Sequence, residues 1–255
     1  MPSTYLLIAH GSRDPRPQIA LEKLAHLLQA QLASLPDSAE KSLVRTGVLE
    51  LGLTSLEQQI QQMAEDTQAI ALKQVQLLPL FLLPGTHVMA DIPQAIAAAQ
   101  PFSPQVKIDL RPYLGSHGGL ADLLVKQLGN VDNHPVDRWI LLSHGSRRSG
   151  GNAPVEKLAE QLNMVPAYWF VTPDLETQIQ QLAAIGCQRI GILPYFLFAG
   201  TTTDGVALEV ERLRMQWPQL DLKLASPLEP SAELAALVMD LMQLPARATG
   251  STQCL

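Results

Sequence analysis

The chain has 255 residues, 47% of them hydrophobic and 16% charged, enough to bury a sizeable core as two domains of ordinary size or one large one. Its net charge of −6 comes with no block of Lys or Arg, so it lacks the electrostatic footprint of a protein that binds nucleic acid or an anionic membrane. Cys187 and Cys254 are the only cysteines and form no CxxC pair, which argues against a disulfide framework or a zinc ribbon and fits a reducing cytoplasm, the compartment expected here, or a plastid-like one.

In chain order, short apolar runs of strand type alternate with amphipathic stretches of helix type, the pattern of an α/β domain with a mostly parallel sheet. Strands are expected over Thr4–Ala9, Val44–Leu51, Lys73–Phe81 and Val106–Arg111, and helices over Pro17–Leu35, Ser55–Ala64, Ile92–Ala99 and Leu120–Leu128. Asp91 is placed to cap the third helix and Pro93 to sit in its first turn. The N-terminus reaches Arg13 too soon for a signal peptide, and the most apolar run, "VQLLPLFLLPG", is interrupted by Pro79 and Pro84, so no membrane span is expected. After Gly129, "NVDNHPVD" reads as a linker.

Beyond the linker the sequence repeats itself. "LLIAHGSR" returns as "ILLSHGSR", "LEQQIQQMA" as "LETQIQQLA", and "LLPLFLLPGTH" as "ILPYFLFAGTT". The period is far longer than a solenoid repeat, so the economical reading is two fused copies of one domain: 1–129, a linker over 130–137, a second copy over 138–245 and a disordered tail over 246–255.

Ligands of open parallel sheets bind at the carboxyl ends of the strands. Three titratable side chains of the first copy fall on that edge: His10 after the first strand, Glu50 near the end of the second and His87 after the third. Two imidazoles and a carboxylate suit a borderline divalent ion, Fe²⁺, Co²⁺, Ni²⁺ or Zn²⁺, with coordination positions left open. The adjoining "GSRDPR" leads Gly11 and Ser12 into a helix N-terminus, a place for a carboxylate or phosphate, to which Arg13 and Arg16 add charge. His26, His117 and His134 read as structural. Histidine phosphatases require Arg before the strand-end histidine, where this chain has Ala9 and Ser143. A G-x-S-x-G elbow, a G-x-G-x-x-G fingerprint and a P-loop are all missing from the sequence.

Together, "AHGSRDPR", "LPLFLLPGTHVMADIP" and the duplicated layout resemble the sirohydrochlorin chelatases, class II enzymes that insert Co²⁺ or Fe²⁺ into sirohydrochlorin without ATP. The resemblance spans about residues 4–245 and implies two flavodoxin-like domains, each with a four-stranded mostly parallel sheet flanked by helices, facing one another across a cleft. It matches the metal-site histidines to His10 and His87 and the assisting acid to Glu50. The substrate is an acidic tetrapyrrole, for whose carboxylates Gly11, Ser12, Arg13, Arg16, Arg111 and His144 are candidates. The second copy keeps His144 but has Thr202 for His87 and Trp169 for Glu50, so the first copy is expected to hold the one metal site. The fused pair is expected to be a monomer with pseudo-twofold symmetry, with no cofactor beyond the metal substrate. The metal, and with it the siroheme or cobalamin pathway, stays open, with a slight preference for iron. A carrier of metal or tetrapyrrole without turnover is the alternative.

Overall fold

The structure, a computed structural model, describes residues 3–34, 42–129 and 136–244. The linker proposed at 130–137 falls largely outside the described residues, and the tail proposed at 246–255 wholly so. Two four-stranded sheets are formed, every pairing parallel. The first contains β1 (Thr4–Ala9), β2 (Leu43–Val48), β3 (Gln74–Pro79) and β4 (Lys107–Leu110) in the spatial order β2-β1-β3-β4. Its crossovers carry α1 (Pro15–Ala33), α2 (Leu56–Ala69) and α3 (Ile92–Ala99), with α4 (Leu120–Leu128) following β4. The second repeats the order as β6-β5-β7-β8, from β5 (Arg138–Ser143), β6 (Val165–Tyr168), β7 (Arg189–Pro194) and β8 (Asp221–Leu224). Its helices are α5 (Ala153–Gln161), α6 (Leu175–Ala184), α7 (Thr201–Gln216) and α8 (Ala232–Gln243).

The central strands are buried on both faces, as parallel strands covered by crossover helices must be. Leu7, Ile8, Leu77 and Leu78 are fully buried in the first sheet and Ile140, Leu142, Ile192 and Leu193 in the second. Edge strands are guarded by glutamine amides. Gln59 gives its Nε2 to the Val48 carbonyl and takes the Val48 N–H on Oε1, both at 2.9 Å, and Gln178 donates to the Pro166 carbonyl of β6 at 2.9 Å. A side-chain amide thereby satisfies edge groups that would otherwise pair with another strand.

Element types agree with the sequence reading, and the differences in length have local causes. The second strand stops at Val48 rather than Leu51 because Leu51 takes φ 60°, which no strand accommodates. The second helix runs to Ala69 rather than Ala64. Thr67 is fully buried there, its hydroxyl 2.6 Å from both the Met63 carbonyl and the Thr4 hydroxyl, so the polar residue belongs to the interior.

The compact units do not follow the boundaries of the sequence repeat. One contains the residues up to His117 and those from Pro230 onward; the other is Gly118–Glu229. Thus α4, encoded in the first copy, packs with the second unit, where Gln127 donates to the Ser226 and Pro227 carbonyls. Conversely, α8 packs on α1, β3 and the turn at Leu114–Ser116 of the first unit, burying Leu234, Val238 and Leu241. Each copy has given its last helix to the other unit. A chain ending at Glu229 is therefore expected to lose hydrogen-exchange protection in β1 and β3 while β5 and β7 retain it; loss confined to β5 and β7 would contradict the exchange.

Candidate metal centre

In the order β2-β1-β3-β4 the chain reverses direction across the sheet between β1 and β3, and the crevice at that switch point is where open sheets take ligands. His10 directly follows β1, and His87 lies in the segment after β3. One ligand atom from each of His10, Glu50 and His87 lies within 4.8 Å of the others, and no other such group of three or more occurs among the described residues. The imidazoles meet edge to face, with ring centroids 4.8 Å apart and planes at 81°.

Glu50 is brought to His10 by the backbone. The β1–β2 ladder continues past both strands, Leu49 N donating to the Ala9 carbonyl at 3.0 Å and Glu50 N to the His10 carbonyl at 2.9 Å. Gly11 then turns away with φ +98°, and a Cβ there would lie 1.9 Å from the Glu50 carbonyl oxygen. Only glycine permits both the conformation and the approach. The loop carrying Glu50 is tied at both ends by Gln59, whose Nε2 donates to the carbonyls of Val48 and Thr54. It closes on α2 through a reciprocal cap between Ser55 and Gln58.

His87 opens a π-helical turn, His87–Asp91, that runs into α3. Here the sequence reading needs correction: Asp91 precedes α3 but makes no capping hydrogen bond. Its Oδ2 instead lies 2.7 Å from His87 Nδ1. A carboxylate only accepts, so Nδ1 carries the proton and Nε2 keeps its lone pair for a metal. His10 Nδ1 lies 3.2 Å from the Gly11 carbonyl, which leaves its Nε2 equally available. The signal for Asp91 was present in the sequence as a helical i,i+4 spacing, "HVMAD".

The expected substrate cations are placed unequally. Arg13 is exposed in the loop before α1. Ser12 Oγ accepts the Asp14 amide at 3.0 Å. Asp14 caps α1, and the Arg16 Nε donates to both its oxygens at 3.1 and 3.0 Å, so the helix N-terminus expected to hold a ligand anion already holds a protein carboxylate. Arg111 is only 7% exposed, with its guanidinium on the Leu244 carbonyl, and is remote in character from a surface anion site. His26 is exposed on α1, His117 lies 3.7 Å from Asp240, and His134 falls outside the described residues.

In the second unit the corresponding ladder bonds run from Trp169 N to the Ser143 carbonyl and from Phe170 N to the His144 carbonyl. The counterpart of Glu50 is therefore Phe170, not Trp169. Matching "LEQQI" to "LETQI" shifts the register because the loop from β6 to α6 is one residue shorter than that from β2 to α2. Thr202 lies in the first turn of α7, as the alignment of "PGTH" with "AGTT" requires.

The CbiX family profile matches residues 4–131 and 138–243. The chain belongs to the CbiX family. It is 25% identical over 237 residues to a sirohydrochlorin cobaltochelatase of Priestia megaterium, covering 87% of this chain and 73% of that one. It is 23% identical over 218 residues to a sirohydrochlorin ferrochelatase of the same organism, covering 82% and 78%. The solved structure of SirB from Bacillus subtilis with Fe³⁺ shares the fold, with a TM-score of 0.76 at 20% identity over 95% of each chain. The two matched segments are the sequence copies, each ending in the helix that this CbiX protein packs on the other unit.

Two outcomes follow from the centre's construction. Gly11→Ala is expected to destabilise the first unit by about 2 kcal/mol or more and to push Glu50 out of the cluster. Urea unfolding together with Co²⁺ titration reads both effects, and an unchanged Co²⁺ affinity would deny Gly11 its role. Asp91→Ala is expected to weaken Co²⁺ binding by about 10- to 100-fold with the melting temperature unchanged, partly rescued by Asp91→Asn, whose amide oxygen still accepts from Nδ1.

Proposed function

We propose that this CbiX protein is a sirohydrochlorin chelatase, inserting a divalent metal ion into the tetrapyrrole at His10, Glu50 and His87. The observation that carries the reading is the convergence of these three ligand atoms within 4.8 Å at the switch point of the sheet. The names of the two relatives, one a cobaltochelatase and one a ferrochelatase, support sirohydrochlorin as the substrate and Fe²⁺ or Co²⁺ as the ion. Zn²⁺ and Ni²⁺ bind such donors at least as tightly, so affinity does not select the metal.

The chemistry needs a perch with open coordination sites and an acceptor for the two pyrrolic protons that leave as the metal enters. His10 and His87, each with Nδ1 engaged and Nε2 free to ligate, hold the ion on one face. Glu50, the exposed carboxylate beside them, accepts the two protons one after the other and passes each to solvent as the ring nitrogens replace the protein ligands. Leu51, Leu53 and Met89 adjoin Glu50 and His87 in the chain and are exposed, an apolar setting suited to a macrocycle face. Arg13 is the cation available to a substrate carboxylate on this edge, with the Gly11–Ser12 backbone beside it, whereas Arg16 and Arg111 have protein partners.

The same reading has one metal site per chain and no cofactor beyond the metal substrate. It also has a cytoplasmic monomer, supported by the presence of both copies of the fold in one chain. Among the described residues no helix is long and apolar enough to cross a membrane.

Anaerobic incubation with sirohydrochlorin and Fe²⁺ or Co²⁺, followed by absorbance, tests the reaction. His10→Ala and His87→Ala are each expected to lower the rate by on the order of a hundredfold or more with the fold intact. Glu50→Gln should slow insertion more than it weakens Co²⁺ binding, and His144→Ala should cost far less than His10→Ala. Tetrapyrrole and metal that bind without any rate above the uncatalysed one would make the protein a carrier. Two equivalent Co²⁺ ions per chain would move part of the chemistry to the second unit.

A further inference from the structure

Among the described residues, Glu50 is the side chain of the candidate metal centre that makes no hydrogen bond of its own. His87 Nδ1 has Asp91 at 2.7 Å and His10 Nδ1 has the Gly11 carbonyl at 3.2 Å, whereas the aim of the Glu50 carboxylate depends on the backbone to either side of it. The rung to His10 fixes the amino side. On the other side Leu51, at φ 60°, Gly52 and Leu53 make no hydrogen bond among the described residues. Leu51 and Leu53 are also exposed, so neither a ladder nor burial holds the chain there.

One carboxamide closes this gap. Gln59, in the first turn of α2, donates from Nε2 to the Val48 carbonyl at 2.9 Å and to the Thr54 carbonyl at 3.0 Å, while its Oε1 accepts the Val48 amide at 2.9 Å. The two bonds to Val48 copy the rung of a neighbouring strand, and the third reaches across Glu50 and the residues after it to Thr54. Two glycines leave room for the amide. A Cβ on Gly47 would lie 3.0 Å from Gln59 Oε1, and one on Gly52 would lie 2.8 Å from Val48 Cγ2 and 3.4 Å from Gln59 Nε2.

The second copy supplies the contrast. Gln178 has the same place in "LETQI", yet its Nε2 donates to the Pro166 carbonyl. Strand register pairs Ala9 with Val48 and Ser143 with Tyr168, so the counterpart of Val48 is Tyr168 and the contact has moved two residues back along the strand. That loop is closed by its own backbone, Tyr168 N donating to the Pro173 carbonyl at 2.9 Å, and it carries Phe170 where the first copy has Glu50. The clamp and the carboxylate occur together in one copy and are lost together in the other.

We propose that Gln59 is a positioning residue of the candidate metal centre, holding the Glu50 carboxylate beside His10 and His87 by clamping residues 48–54. The assignment rests on the reading of those three side chains as the metal centre.

Co²⁺ titration of the full chain, read by the visible d–d bands, and the insertion rate with sirohydrochlorin test it. Gln59→Glu keeps an acceptor for the Val48 amide and loses both N–H donors, so the strand edge persists while the loop is released. It is expected to weaken Co²⁺ binding about three- to tenfold and to lower kcat about tenfold or more, with a melting temperature close to that of the wild type. Gly52→Ala, which crowds Val48 from within the loop, is expected to act in the same direction. Gln178→Glu should leave both readings unchanged. A double-mutant cycle separates positioning from a general loss of structure: in a Glu50→Ala chain, Gln59→Glu should cost nothing further, because its effect runs through the carboxylate. Wild-type Co²⁺ affinity and kcat in Gln59→Glu, or an equal loss when Glu50 is already removed, overturns the role of Gln59 and leaves the centre standing. Co²⁺ binding that neither His10→Ala nor Glu50→Ala weakens would fail the centre itself, and this assignment with it.

Discussion

The candidate metal centre depends on one short stretch of backbone, the two rungs by which β1 and β2 stay paired beyond their last strand residues. Those rungs carry His10 and Glu50 out of the sheet together, and Gly11 must then leave without a side chain because the Glu50 carbonyl occupies the space a Cβ would take. An imidazole and a carboxylate anchored this way hold their separation without help from flexible loops. The third ligand arrives separately, from beyond β3, and its orientation is set by Asp91 one π-helical turn on. Preorganisation here lies in the main chain and in one carboxylate.

The same scaffold with other side chains shows what the duplication has allowed. Backbone geometry at His144 and Phe170 repeats that at His10 and Glu50, so divergence has acted on the side chains and not on the frame. The first edge gathers two imidazoles and a carboxylate, and the second sets a phenyl ring edge to face against its imidazole.

The exchange of α4 and α8 gives the duplication a mechanical side. Each unit is completed by a helix encoded in the other copy, and the Arg111 guanidinium, expected at the surface as a substrate cation, is instead spent on the Leu244 carbonyl just after α8. Neither copy as written in the sequence contains every helix of a unit. Stability of the first unit therefore depends on residues at the far end of the chain, as in oligomers that exchange an identical element.

Much of this was legible in the sequence. Apolar runs and amphipathic periods placed the elements of the first copy to within a few residues, internal repetition revealed the duplication, and the occurrence of His10, Glu50 and His87 after successive strands marked side chains that converge, because parallel sheets align their carboxyl ends. Residues whose role depends on contacts were not legible. Asp91 has the sequence of a cap but the geometry of a histidine partner, the second helix runs past its expected end at Ala64 to bury Thr67, and Phe170 was hidden behind Trp169 by a loop one residue shorter. The sequence by itself determined the parallel α/β class, the repeat and which titratable side chains end the strands, which follow from local pattern and chain topology. Only the tertiary structure decided which carboxylate faces which imidazole, which arginine is already paired and which unit each terminal helix completes, because these depend on atoms brought together from distant parts of the chain.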